Sequence, residues 1–430
     1  MVKIIGGGLA GCEAAWQLAN AGIKSCIYEM KPHKFTPAHH YSGLAELVCS
    51  NSLKASRHDS AAGLLKEEME TLGSLIVPCA KANAVEAGGA LAVDREKFSD
   101  MVTEKIHSNP LIEVIDEEVE TIPEGPVIIA TGPLTAGGLA EDIRRMCGDY
   151  LSFFDAAAPI VTFESLDMDK VFFASRYDRG DADYINCPMN KEEYLAFYNA
   201  LITAESAPLK EFDKRDFKVY EGCMPVEVLA RRGEDTMRYG PLKPVGLTDK
   251  RTGKRPYAVV QLRKENAQGT MYNLVGFQTN LKFGEQKRVF SMITGLENAE
   301  FVRYGVMHRN SFIDSPKLLE PTYALKSNHD IFFAGQITGV EGYIESAASG
   351  IMAGINMARH LRNEEPLVLP AETMIGALTA YISGGCSGEF QPMGCNMGIL
   401  PDLPVRIKDK KAKYTAYADR AIEALNRTIK

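Results

Sequence analysis

A short, largely apolar run at residues 2–5 leads straight into Gly6-Gly7-Gly8-Leu9-Ala10-Gly11. A stretch of small residues follows, then a second apolar run at residues 23–28 with Glu29 at its end. This pattern predicts strand, tight turn, helix and second strand, the half-unit that binds a dinucleotide. Gly6 allows the turn, Gly8 lets backbone amides approach a pyrophosphate, and Gly11 lets the helix pack close to the strand. The helix start at Leu9 and Ala10 then offers its free N–H groups to the phosphates. Glu29 stands 18 residues after Gly11, where a carboxylate takes both ribose hydroxyls and repels a 2'-phosphate. FAD or NAD is therefore expected rather than NADP. A bare G-x-G-x-x-G also occurs in turns without ligand, but here strand, helix, second strand and acid all stand in register.

Two further apolar runs carry the same signature. Residues 127–132 form a buried strand closing on Thr131-Gly132. Residues 330–336 form another, ending at Gly335-Gln336 and followed by a predicted helix over 342–360 rich in Ala347, Ala348, Gly350, Ala353 and Gly354. Small residues there suit a helix lying against a flavin and a sheet. Three such segments predict an α/β fold. Its centre is one Rossmann-like FAD-binding domain of glutathione-reductase type, residues 1–155 and 301–430, interrupted by an inserted α+β domain over 156–300. The insertion shows strand patterns at 160–163, 257–263 and 271–275, without repeats or low-complexity tracts. No second strand, glycine turn and helix appears in it, so a nicotinamide donor would visit the flavin only transiently.

Composition narrows the class. With 430 residues, 45% hydrophobic and 24% charged, the chain can bury a large core. No run approaches the roughly 18 apolar residues of a membrane span. A core strand directly after Met1 leaves no room for a signal peptide, so a cytoplasmic location is expected. Nine cysteines without a C-x-x-C pair argue against a disulfide framework and a zinc site. The net charge of −8 argues against a protein that coats nucleic acid, though local basic strips remain compatible with it.

Two cysteines stand in chemically suggestive settings. Cys223 lies in Glu221-Gly222-Cys223-Met224-Pro225, where a strand is predicted to end and a helix to start near Pro225. Position alone fits both a thiolate nucleophile and a packed cysteine at a domain corner. Cys49, in Leu47-Val48-Cys49-Ser50-Asn51-Ser52, falls in a polar loop near the expected flavin. Cys12, Cys26 and Cys79 read as core. Between Lys243 and Glu265 seven basic residues, among them Arg251, Lys254 and Arg255, face two acids, and a second strip at 406–413 has five basic residues and one acid. Each strip taken alone fits a solvated face. With Tyr257, Tyr414 and Tyr417 nearby, RNA phosphate contact is the functional alternative. His308 and Tyr343 each offer a ring that could stack on a planar ligand over the isoalloxazine, or serve as a hydrogen-bonded structural residue.

The strings Pro37-Ala38-His39-His40, residues 45–52, residues 63–69, Glu221-Gly222-Cys223-Met224-Pro225, and residues 272–290 and 304–311 are long and unambiguous. In them the chain resembles the folate- and flavin-dependent tRNA uracil-5-methyltransferase family, TrmFO, over almost its whole length. The resemblance implies FAD as cofactor, methylenetetrahydrofolate as carbon donor, NAD(P)H as reductant, and conversion of a T-loop uridine of tRNA to 5-methyluridine. It also implies that Cys223 adds to uracil C6, for which a soft thiolate is suited. Cys49 would be the second catalytic cysteine, as proton acceptor at C5 or as a holder of flavin-side geometry. His308 or Tyr343 would wall the pterin, and Arg251, Lys254 and Arg255 would contact the T-arm, with the target base flipped out. The chain departs from the family pattern at Gly394, at Met397 and in Tyr41-Ser42-Gly43, which keeps a ribosomal RNA uridine as an alternative substrate.

Three other readings compete. A wobble-uridine-modifying sister family shares the FAD unit, but its members carry a long C-terminal helical extension, whereas this chain ends about 70 residues after the flavin helix. A small-molecule flavoprotein oxidoreductase explains neither the basic strips nor the thiol at a helix start. A flavin-stabilised RNA-binding factor without chemistry would tolerate loss of both cysteines. The sequence leaves the oligomeric state open.

Overall fold

The computed structural model describes residues 1–148, 151–156, 158–178, 181–207, 224–266, 268–305, 307–385 and 390–429; for 151–156, 178, 308 and 309 the backbone alone is described. Two six-stranded sheets organise the chain. The first runs in the order Ala324–Leu325, Asn328–Phe333, Val127–Ile129, Val2–Ile5, Ser25–Glu29, Ile112–Asp116. Its strands are parallel apart from the 324–325 edge. Near-continuous Val and Ile in the central strands is what burial on both faces demands. From the central strand Val2–Ile5 the chain first builds outward on one side and then crosses to Val127–Ile129 on the other. That reversal is the topological switch point at which such sheets bind ligands.

The predicted elements appear with shifted ends. The second strand starts at Ser25, because Ile23 N–H bonds back to Leu18 of the first helix at 2.9 Å and closes the turn. The small-residue helix spans Tyr343–Leu361, with Gly342 at its N-cap at φ +120°. It crosses the first helix, Leu9–Asn20, backbone against backbone: a Cβ on Gly350 would stand 2.2 Å from the Ala10 oxygen, and one on Gly354 2.7 Å from the Ala14 oxygen. Among the described residues no helix is long and apolar enough to cross a membrane.

The second sheet is antiparallel, in the order Phe172–Phe173, Tyr184–Met189, Ala258–Lys264, Met271–Leu274, Ile160–Thr162, Phe301–Arg303. It has its own core of Val161, Ile185, Met189, Val260, Leu262 and Leu274. The helices Lys191–Thr203 and Phe283–Phe290 close this core with Tyr194, Phe197, Val289 and Phe290. An Asn190/Glu193 capping box starts the first of these helices. A two-stranded ribbon, Leu151–Ala156 with Met307–Phe312, carries the chain out to this layer and back.

Candidate active site

The three nucleotide-facing segments leave one edge of the first sheet together, because Ile129 pairs in register with both Ile5 and Phe333. Gly6, at φ +103°, would place a Cβ 2.6 Å from the Ala130 oxygen, and Gly11 would place one 1.9 Å from the Gly6 oxygen. Gly8 caps the first helix and has open space where its Cβ would point. These features fit a dinucleotide pyrophosphate resting on the helix N-terminus. Leu9 and Ala10 have buried side chains, so they can offer only backbone N–H groups. The Glu29 carboxylate is aimed by Gly7 N–H at 2.8 Å and Lys31 N–H at 3.0 Å, one on each oxygen. Each oxygen keeps a second lone pair for a ribose hydroxyl. Gly132 turns the chain at φ +70°, with Thr131 Oγ1 2.6 Å from Thr135 Oγ1. Gly335, at φ +83°, lies against Ala10, and its N–H donates to Ser349 Oγ at 2.7 Å. Gln336 donates to Glu341 Oε2 at 2.6 Å.

Around the Cys49 loop the two layers meet. Tyr343, first residue of the long helix, receives Cys49 N–H at 2.7 Å and Ser50 N–H at 3.2 Å on its hydroxyl oxygen, and that oxygen lies 3.0 Å from Cys49 Sγ. Both acceptor positions of the oxygen are thus occupied, which leaves the hydroxyl proton to point at the sulfur. Burial, and next the neighbouring Cys49, push the Tyr343 hydroxyl well above its ordinary pKa, so it keeps that proton.

Three arginines brace the loop. Arg95 donates to Leu47 O at 2.8 Å and pairs with the buried Glu265. Arg303 donates to Val48 O. Arg263 donates to Ser50 Oγ at 2.9 Å and Asn51 Oδ1 at 3.1 Å, while Asn51 Nδ2 donates to Val93 O and Lys264 O. Burial pulls Arg263 and Arg303 below their usual pKa. Three guanidiniums against one carboxylate leave the loop in a net positive setting, with a hydroxyl donor on the sulfur. Such surroundings stabilise negative charge on a thiol.

Other residues singled out in the sequence fall elsewhere. Cys223 lies outside the described residues. The helix after it starts at Val226 with Pro225 as N-cap and runs only five residues, and the Val226 N–H is already taken by Gln278 O at 2.7 Å. A helix of that length, with its first N–H already bonded, offers little positive charge at its start. His308 sits on the ribbon opposite Asp155, and its side chain is outside the described residues. Arg251 is engaged by two bonds to Asp249 of its own turn at 3.0 and 2.8 Å and by one to Asp169 O from an earlier segment. Lys254 and Arg255 are exposed. Arg263 and Lys264, counted in the same basic strip, face inward and to Glu86 respectively, because strand alternation inserts the first into the Cys49 loop. Arg95, Arg263 and Arg303 carry no local signal of this role. Cys12, Cys26 and Cys79 are buried, and burial raises the thiol of Cys79 to about 11, where it is inert.

Comparison with known proteins adds an independent line. A family model described as glucose inhibited division protein A matches residues 1–365. A protein of Acetivibrio thermocellus named methylenetetrahydrofolate–tRNA-(uracil-5-)-methyltransferase TrmFO is 60% identical over 430 residues, covering 100% of this chain and 98% of the relative. Proteins of the same name from Bacillus pumilus and Listeria innocua are 59% and 58% identical over 425 and 427 residues, each alignment covering 99% of this chain and 98% of the relative. Among solved structures, Aquifex aeolicus GidA aligns with a TM-score of 0.71 at 17% identity, over 99% of this chain and 73% of that one. That likeness establishes the fold.

Proposed function

The chain belongs to the TrmFO family of folate-dependent tRNA uracil-5-methyltransferases, and on that premise we propose that the Cys49 loop is where a T-loop uridine is methylated. The observation that carries this reading is the sulfur of Cys49, held 3.0 Å from a tyrosine hydroxyl that has only its proton left to give.

Uracil C5 is a weak nucleophile until a thiolate adds to C6, and Cys223 is the residue assigned to that addition by similarity. With the methylene carbon on C5, the C5 proton must leave before the C6–S bond can break. Cys49 accepts that proton. The hydrogen bond from Tyr343 and the surrounding arginines favour its thiolate beforehand, and Arg95, Arg263 and Arg303 fix the loop so the sulfur does not drift. Loss of the C5 proton lets the bond from the carbon to the folate nitrogen break, with tetrahydrofolate as leaving group. FAD, which the glycine turn and Glu29 would hold, would once reduced supply the hydride that makes the carbon a methyl group as the thiolate leaves C6. NAD(P)H is the proposed source of those electrons, His308 a wall of the folate site, and Lys254 and Arg255 contacts to T-arm phosphates. The hydroxyl contacts of Tyr343 direct it to Cys49, and its role is therefore positioning. The cytoplasm, where tRNA and reduced nicotinamide coexist, is the proposed location.

A tRNA relative at 60% identity favours transfer RNA over the ribosomal alternative. The test is to incubate the FAD-loaded protein with methylenetetrahydrofolate, NADPH and either unmodified tRNA or ribosomal RNA transcript, then map 5-methyluridine by mass spectrometry. Its appearance in the tRNA T-loop is expected. Its appearance only in ribosomal RNA, or flavin oxidation and reduction without RNA methylation, would contradict the reading.

A further inference from the structure

A run of aromatic rings climbs from the core of the second layer to its surface, and its outer three are near-parallel. Phe290, fully buried, packs edge-on to Phe277 and tilts against Phe301. Phe301 stacks on Tyr304 with centroids 5.4 Å apart and planes 12° apart, and Tyr304 stacks on Phe283 at 5.0 Å and 17°. Phe283 ends the ladder and is 56% exposed. Tyr177 and Tyr239 are at least as exposed, but Phe283 is set apart by the stack behind it and by a rigid mounting. It is the first residue of the helix Phe283–Phe290. Gln286 of that helix, completely buried, grips the residue after Tyr304 from both sides: its Nε2 donates to Gly305 O and its Oε1 accepts from Gly305 N–H, each at 2.8 Å.

The ladder adjoins the active site by covalent and hydrogen-bonded links. Arg303, next to Tyr304, reaches Val48 O beside Cys49, and the ribbon strand carrying His308 starts at Met307. On the other side Ala207 N–H donates to Asn280 O at 2.7 Å and Val226 N–H to Gln278 O. The described chain on either side of residues 208–223, the stretch that includes Cys223, is therefore fixed within a few positions of Phe283. Charge around the ring is nearly balanced, with Lys282 paired to Glu205 and Arg288 to Glu285. The ring thus offers a planar uncharged face rather than a phosphate trap.

We propose that Phe283, backed by Tyr304 and Phe301, is a stacking platform for an unpaired base of the RNA substrate adjacent to the methylated uridine. A uridine that leaves its stack to be reached at C5 and C6 strips its neighbour of a stacking partner, and an aromatic side chain is the usual substitute. This assignment rests on the tRNA-methyltransferase reading and adds to it a determinant of RNA binding.

The test uses the FAD-loaded protein and tRNA transcripts bearing 2-aminopurine at unpaired T-loop positions. Phe283→Ala is expected to weaken tRNA binding by about 5- to 150-fold, the range of one base–aromatic stack. It should also abolish the fluorescence quenching expected on binding to the unsubstituted protein. Phe283→Trp should keep both, while flavin content and melting temperature stay the same in all three proteins. Wild-type affinity and quenching in Phe283→Ala would overturn the platform. If the unsubstituted protein binds and methylates tRNA in that case, the platform alone has failed. If it methylates no RNA, the parent reading has failed with it.

Discussion

The hydroxyl proton of Tyr343 has one place left to go. Two backbone N–H groups, from Cys49 itself and from Ser50, saturate the Tyr343 oxygen, so its proton goes to the sulfur at 3.0 Å. A hydroxyl donating to a thiolate favours the ionised sulfur. Tyr343→Phe removes that donation and leaves two N–H groups without their acceptor. A fall in kcat/KM of about 10- to 100-fold is expected, in line with the loss of a hydrogen bond to a charged group. A second readout separates positioning from packing. In a Cys223→Ala background, the pH profile for iodoacetamide modification of Cys49 should move to higher pH with Tyr343→Phe. An unmoved profile would mean that the tyrosine acts through packing alone. The sequence marks Cys49 and Tyr343 separately, one for its loop and one for its ring. The bond joining them spans 294 positions and is invisible to any local pattern. The same holds for Arg263, which reads as part of a basic strip and becomes a clamp through strand alternation and burial.

Helices are started by acids that reach across the fold. Glu13 of the first helix accepts the N–H groups of Leu75 and Ile76, each at 3.0 Å, and Glu68 accepts those of Met374 and Ile375 at 2.7 and 2.8 Å. Both are buried. Burial outweighs the backbone donors and raises Glu13 to about 7 and Glu68 to about 8. A carboxyl with a raised folded pKa binds its proton more tightly folded than unfolded. Its contribution to stability is therefore complete below about 4.5 and is lost as pH rises toward 8. The melting temperature should fall between pH 5.5 and 8.5. Glu68→Gln should melt lower at pH 5.5, because an amide accepts on only one atom, and with a shallower slope that narrows the gap as pH rises. An equal slope in the variant, measured by calorimetry, would remove Glu68 from the cause. The dinucleotide unit was legible at this scale because each of its glycines answers a local requirement that can be read in order along the chain. The Glu68 cap was not, because its donors lie 306 and 307 positions away.

In the whole molecule, the proposed site lies at the seam between two sheets built by different rules. The parallel sheet supplies the nucleotide edge, and its apolar runs and glycine turns announced it. The antiparallel layer supplies Arg263 and Arg303 to the Cys49 loop and displays the Phe283 ladder. Its strands at 160–162, 258–264 and 271–274 overlap the strand patterns read at 160–163, 257–263 and 271–275, but the face each residue presents to the other layer is not in those patterns. What the sequence leaves unread is tertiary: which distant side chains close on a loop that composition marks only as polar. The same seam gives the most direct measurement. FAD-loaded protein and its Cys49→Ala variant would be given tRNA, NADPH and methylenetetrahydrofolate labelled with carbon-13 in the methylene group, and label at uridine C5 would be followed by mass spectrometry. The unsubstituted protein is expected to place the label in the T-loop, with the variant retaining FAD and losing at least about 100-fold in rate, the scale of a lost catalytic base. Equal labelling by both proteins would contradict the assignment of this site.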